Sequence, residues 1–265
     1  DLYIYSLEGR APPRPDEWGK EFLGNWQEDD WSFLFFNRPA DDQVEALARH
    51  NPELRLLDRY RMTYEEWQGD APDVLEVGRF RIAPPWQPLA AVEDTLDIRI
   101  DPGVVFGSGG HPTTRDCLAM LERVCRAPAP ETVLDLGTGS GVLALAAARA
   151  GCRRVLAVDF NHLAVRTAGA NIHRNRLSKR VLALQGRAED FIALPADLVV
   201  ANIHWDVARK LIAADGWRQK KWFILSGLLR SEAREAVDRL VGHRCRILAT
   251  RQKAGVWHTL LGTSA

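Results

Sequence analysis

The chain has 265 residues, with 35 basic and 35 acidic side chains and a formal net charge of zero. That is long enough for one large domain and a small one, and the charge balance gives no overall cationic surface for a phosphate backbone, so direct nucleic-acid binding is not expected. Cys117, Cys125, Cys152 and Cys245 form no CxxC pair and lie in apolar patterns, as buried thiols of a reducing cytoplasm do. No apolar run reaches the roughly 18 residues of a membrane span, and the first residues lack a signal-peptide layout.

In chain order, Leu2–Leu7 and Trp31–Phe36 read as strands separated by a polar segment with Pro12, Pro13 and Pro15. Asp41 or Asp42 is placed to cap a short helix carrying Val44, Leu47 and Ala48 on one face, Pro52 ends it, and Leu54–Met62 returns as a strand. This predicts a small α+β domain over residues 1–65. A short helix at Thr63–Gly69, a hairpin of Val74–Val77 and Arg79–Ala83 around Gly78, and the stiff passage of Pro84, Pro85 and Pro88 fill a linker over 66–94. Leu96, Ile98 and Ile100 alternate as a strand entering the second domain, 95–265.

There, Asp101–Thr114 (DPGVVFGSGGHPTT) is glycine-rich and leads into a helix whose buried stripe is Cys117, Met120, Leu121, Val124 and Cys125. Next comes Thr132–Phe160, reading TVLDLGTGSGVLALAAARAGCRRVLAVDF: a strand to Asp135, glycines at 137, 139 and 141, an Ala/Leu-rich helix, and a second strand ending at Asp159. Asn161 caps a helix with Val165, Ala168 and Ile172 inward, and the cluster Arg174, Arg176, Lys179 and Arg180 at its end reads as solvated surface. Val181–Gln185, Asp197–Ala201 (ending at Asn202) and Trp222–Ser226 continue the strands. A helix with Ala233, Ala236, Val237 and Leu240 follows, and Arg246–Thr250 pairs antiparallel with Val256–Leu261. The fold class is α/β, a Rossmann-like doubly wound sheet with an antiparallel C-terminal pair, and its ligand belongs at the carboxyl ends of the strands.

The glycines imply a ligand lying directly on the main chain and backbone angles that other residues reach only at a cost. Asp159 follows Gly137 at close to the about 20-residue offset at which a carboxylate meets ribose hydroxyls. The dinucleotide fingerprint GxGxxG fails, because its third glycine would fall on Val142. DxGxGxG instead resembles the first motif of S-adenosylmethionine-dependent methyltransferases, which implies that cofactor, with Asp135 near its ammonium group. A nicotinamide or flavin dinucleotide is the rival.

DPGVVFGSGGHPTT, taken with LDLGTGSGVLALAAA and DLVVANI, resembles one class I methyltransferase family, PrmA, the bacterial enzymes that methylate large-subunit ribosomal protein eleven. FILSGL at 223–228, the WQGDAP…IAPPW approach and Trp257 add to the likeness, which covers roughly residues 60–262. The resemblance implies an enzyme that methylates lysine or N-terminal amines of a ribosomal protein; a cytoplasmic monomer is expected. Its cofactor contacts fall on Thr114, Gly137, Asp159 and Asn202. Phe106, Asp135, Thr138, Gly139 and Gly141 complete the expected cofactor site, no metal is expected, and Phe106 and His111 are placed to close over the cofactor. Asn202 is the foremost catalytic candidate; His204 and Trp205 are the others, with Asp206 a further proton acceptor. The chain departs from the family pattern at Ser108, Gly110, Asn161 and His204-Trp205-Asp206, and its N-terminal part matches weakly. Two rival functions stay open: methylation of a nucleic-acid amino group, disfavoured because NIHW lacks the Asn/Asp-Pro-Pro-aromatic prolines, and a cofactor-binding module without catalysis.

Overall fold

The computed structural model describes residues 1–264 apart from 13–17, 29, 69–73, 106–108, 127 and 254–255. The chain forms two compact units, Asp1–Ala71 with Asn161–Leu163, and Pro72–Phe160 with Ala164–Ala265.

The first unit carries β1 (Leu2–Glu8), β2 (Phe22–Glu28), β3 (Trp31–Phe36), α1 (Asp41–His50), β4 (Arg55–Met62) and α2 (Tyr64–Gln68). Its antiparallel sheet runs β2-β3-β1-β4. Tyr5, Leu7, Leu34 and Phe36 meet Val44 and Leu47 of α1, and Trp18 stacks on Phe36 with ring centroids 5.2 Å apart. Two expectations change here. β2 lies within the segment read as polar: Gly24 and a register shift between Phe22 and Gly24 break its alternation. Neither Asp41 nor Asp42 caps α1; the N-cap is Ala40, and the two acids lie in the first turn, where they complement the helix dipole.

The second unit opens with β5 (Leu75–Val77), β6 (Phe80–Ala83) and β7 (Leu96–Arg99). β5 and β6 form the expected hairpin, turning at Gly78, but β7 pairs parallel to β6 instead of joining the main sheet. The hairpin segment assigned to a linker therefore belongs to a three-stranded sheet. Arg81 stitches it with a two-pronged ion pair to Asp97, at 2.8 Å through Nε and through Nη2.

The main sheet comprises β8 (Thr132–Leu136), β9 (Arg154–Asp159), β10 (Val181–Gln185), β11 (Leu198–Asn202), β12 (Trp222–Leu228), β13 (Cys245–Lys253) and β14 (Trp257–Ser264), in the order β10-β9-β8-β11-β12-β14-β13. The first five are parallel; β14 runs antiparallel to both β12 and β13. The helices are α3 (Pro112–Val124), α4 (Val142–Arg149), α5 (His162–Arg174), α6 (Ala188–Phe191), α7 (Trp205–Ala213) and α8 (Arg230–Gly242). One core layer joins α3, α4 and β5–β7 to one face of the sheet; the other puts α7 and α8 on the opposite face. Val142–Ala148 of α4 are all buried, which is why that helix is apolar all round. Burying each of its leucines contributes about 2 kcal/mol. The chain winds from β8 outward to β9 and β10, then returns to β11 on the other side of β8. This puts the topological switch point, where such sheets bind ligands, at the ends of β8 and β11.

All four cysteines are buried and unbridged, with Cys125 Sγ 3.8 Å from Cys152 Sγ. Among the described residues no helix is long and apolar enough to cross a membrane.

Candidate active site

The bend after β8 is held by its own hydrogen bonds. Gly137, Gly139 and Gly141 have φ of 78°, 55° and 88°, in the left-handed region that only glycine enters at low cost. Gly137 and Thr138 N–H both donate to Val158 O, at 2.8 and 3.0 Å, and Gly141 N–H donates to Thr138 O. Gly139 N–H donates to Asp159 Oδ2 at 2.9 Å, so the carboxylate ending β9 is tied to the bend. A Cβ on Gly137 would lie 2.3 Å from Ile203 Cγ2, so the absent side chain serves packing against the turn after β11.

Asp135 is 1 % exposed. Its Oδ2 accepts from Thr138 Oγ1 at 2.6 Å and from Ala144 N–H at 3.1 Å, while Oδ1 is buried with no partner among the described residues. Burial pushes its pKa up to about 7 against the opposing pull of those two bonds, and the nearby charge of Asp159 adds to the rise. Thr138 directs its hydroxyl into the bend, onto Asp135.

At the end of β11, Asn202 Nδ2 donates to Thr114 Oγ1 at 3.3 Å, joining the fourth strand of the winding to the first turn of α3. Thr114 is buried and Asn202 half-buried. His111 is the N-cap of α3: its Nδ1 accepts from Thr113 N–H, its ring packs edge-on against Trp257 at 5.3 Å, and burial lowers its pKa. Phe106, with Gly107 and Ser108, lies outside the described residues.

The bend, the Asp159 carboxylate and the Thr114–Asn202 pair thus gather at the carboxyl ends of three adjacent strands. The family profile described as ribosomal protein L11 methyltransferase (PrmA) matches residues 45–264. The chain belongs to the PrmA family. It is 44% identical over 157 residues to the ribosomal protein L11 methyltransferase of Pelotomaculum thermopropionicum, covering 58% of this chain and 50% of that protein. To the protein of that name from Lacticaseibacillus paracasei it is 41% identical over 192 residues, covering 70% of this chain and 59% of the other. It therefore spans about half or a little more of these relatives' length. The crystal structure of a ribosomal protein L11 methylase from Lactobacillus delbrueckii subsp. bulgaricus matches with a TM-score of 0.60 and 29% identity, over 73% of this chain and 98% of that one. The fold is the class I methyltransferase fold.

His204, where this PrmA chain departs from the family pattern, is the N-cap of α7, a helix absent from the sequence expectations. Its side chain is 77 % exposed, with Nδ1 within 3.5 Å of both the backbone nitrogen and the carboxylate of Asp206. Asp206 also pairs with Arg209 at 3.1 Å. Trp205 packs, partly buried, against the α7–α8 core layer. Local caps and packing account for all three. Sequence reading missed Asn171, fully buried on α5, and Asn175, nearly buried just past the helix's end. The signal was available: two amides one helical turn apart, on the face that also carries Ala168 and Ile172. Among the described residues no cluster of His, Cys, Asp or Glu could hold a metal ion.

Proposed function

We propose that the chain is an S-adenosylmethionine-dependent methyltransferase that methylates amino groups, lysine or N-terminal, of a large-subunit ribosomal protein. The main support is the bend itself. Its N–H groups at 137, 138, 139 and 141 are all engaged within the protein, so they are not offered to a pyrophosphate, while the buried Oδ1 of Asp135 lacks a donor. A phosphate-free ligand with an ammonium group fits that donor set; a dinucleotide does not. Gly137, Gly139 and Gly141 would seat the cofactor, Asp159 would take its sugar hydroxyls, and Thr114 and Asn202 would line the transfer position. The sulfonium, when bound, supplies an electrophilic methyl group.

The protein's task is then to hold the acceptor nitrogen in line and unprotonated. An unperturbed lysine has a pKa near 10.4, and a desolvated pocket lowers it without a dedicated base. Asn202 Nδ2 is held by Thr114, and its Oδ1 would be free to accept from the acceptor N–H and orient the nitrogen's lone pair. Neither His204 nor Asp206 is required for this. The family's relatives carry the name ribosomal protein L11 methyltransferase, which supports that protein as the substrate, the cytoplasm as the site of action and bacteria as the source.

Titration calorimetry should show S-adenosylhomocysteine binding and no NAD binding; the reverse overturns the cofactor assignment. Incubation with labelled donor and ribosomal subunits should label ribosomal protein L11. Label on ribosomal RNA would favour a nucleic-acid methyltransferase, and cofactor binding without any label would favour a non-catalytic module.

A further inference from the structure

Asn171 sits on α5 with 0 % exposure, and its side chain makes four hydrogen bonds among the described residues. Its Nδ2 donates to Asp101 O and to Ser140 O, both at 2.9 Å. Its Oδ1 accepts from Asp101 N–H at 3.0 Å and from Arg174 Nη1 at 2.6 Å. One turn later Asn175 treats Arg99 in the same manner, accepting from its N–H at 2.9 Å and donating to its C=O at 2.6 Å. The two amides together replace a neighbouring strand along the open edge that runs from β7 to Asp101. This gives hydrogen-bond partners to the part-buried backbone groups of Arg99 and Asp101.

The two differ in one respect. The remaining Nδ2 bond of Asn175 goes to Asn171 O within α5, whereas that of Asn171 goes to Ser140, inside the glycine bend. Asp101 opens the glycine-rich segment, and its side chain accepts from Gly103 N–H at 3.2 Å. A single amide therefore clamps the bend after β8 to the entry of the segment leading to His111 and α3. We infer that Asn171 is a positioning residue that makes these two elements move as one, so that seating the cofactor in the bend also orders residues 101–105. The inference rests on the cofactor reading above.

The test compares Asn171→Asp with Asn175→Asp. Each keeps an acceptor oxygen where Oδ1 stood and sets a carboxylate oxygen against carbonyl oxygens where Nδ2 donated, so both should lower thermal stability. Only Asn171→Asp disturbs Ser140. Calorimetry with S-adenosylhomocysteine should give Kd raised about tenfold or more for Asn171→Asp and close to wild type for Asn175→Asp. In steady state the first variant should raise KM for the donor far more than it lowers kcat. Should Asn171→Asp fail to fold, amide exchange on the wild-type protein serves instead: S-adenosylhomocysteine should slow exchange at Asp101 and Gly103. Equal Kd for the two variants, or exchange there unaltered by the ligand, overturns the inference while leaving the cofactor reading intact. A wild-type protein that takes up no S-adenosylhomocysteine overturns both.

Discussion

The turn after β8 and the turn after β11 face one switch point, yet they are built in opposite ways. In the first, Asp135 and Thr138 are buried, three glycines hold left-handed angles, and four N–H groups bond within the protein or to the Asp159 carboxylate. In the second, His204 and Asp206 are exposed and bond to each other, and Trp205 leans on the core. Main-chain geometry, which few residues can satisfy, dictates the first turn. A helix cap, which many residues can supply, dictates the second. The departures from the family pattern at His204, Trp205 and Asp206 fall in the tolerant turn, so they are compatible with activity.

The comparison breaks most sharply at Gly137. Gly137→Ala adds a left-handed penalty and a clash with Ile203, and should cost about 4 kcal/mol in urea unfolding. Adding Ile203→Ala should recover only the clash, and full recovery would mean the backbone angle is unimportant.

Asp135 sharpens the contrast through pH. Its folded pKa of about 7 lies above the ordinary 3.8. The folded state therefore binds the extra proton between those values, and the stability contributed by neutral Asp135 is lost as pH rises from about 4 through about 7, on the order of 4 kcal/mol. Asp135→Asn should flatten that part of the stability profile and weaken binding of the ammonium-bearing cofactor. An unchanged slope would show that the carboxylate is ionised at low cost.

Smaller effects are expected of the groups turned to the ligand. Asp159→Ala should weaken S-adenosylhomocysteine binding by about 1–3 kcal/mol, and Asn202→Ala should lower kcat by about 10- to 100-fold, each the scale of one lost buried hydrogen-bond partner. The least effect belongs to the tolerant turn. His204→Ala should cost about 1 kcal/mol of stability as a lost N-cap, with kcat within about twofold of wild type. A kcat collapse on that substitution would return His204 to the catalytic candidates.

Much of this was legible in the chain. The strands and helices from Leu96 onward alternate with clear periodicity, and DxGxGxG with Asp159 marks the bend, because glycine spacing and strand-end acids leave a local trace. β2 left none, since its bulge and Gly24 break the alternation. α7 was hidden because its cap is a histidine instead of a serine or aspartate, and the pairing of β7 with β6 was hidden because pairing partners are not written in a strand's own residues.

The sequence by itself determined the alternation of strands and helices, the left-handed bend and the residue types at the strand ends, all set by short-range sterics and apolar period. Tertiary structure alone decided that Gly137 must clear Ile203, that the Asp135 carboxyl is desolvated, and that Asn171 joins Asp101 to Ser140. Each of these depends on atoms brought together from distant parts of the chain, and no local pattern encodes what will stand opposite a side chain once the layers close.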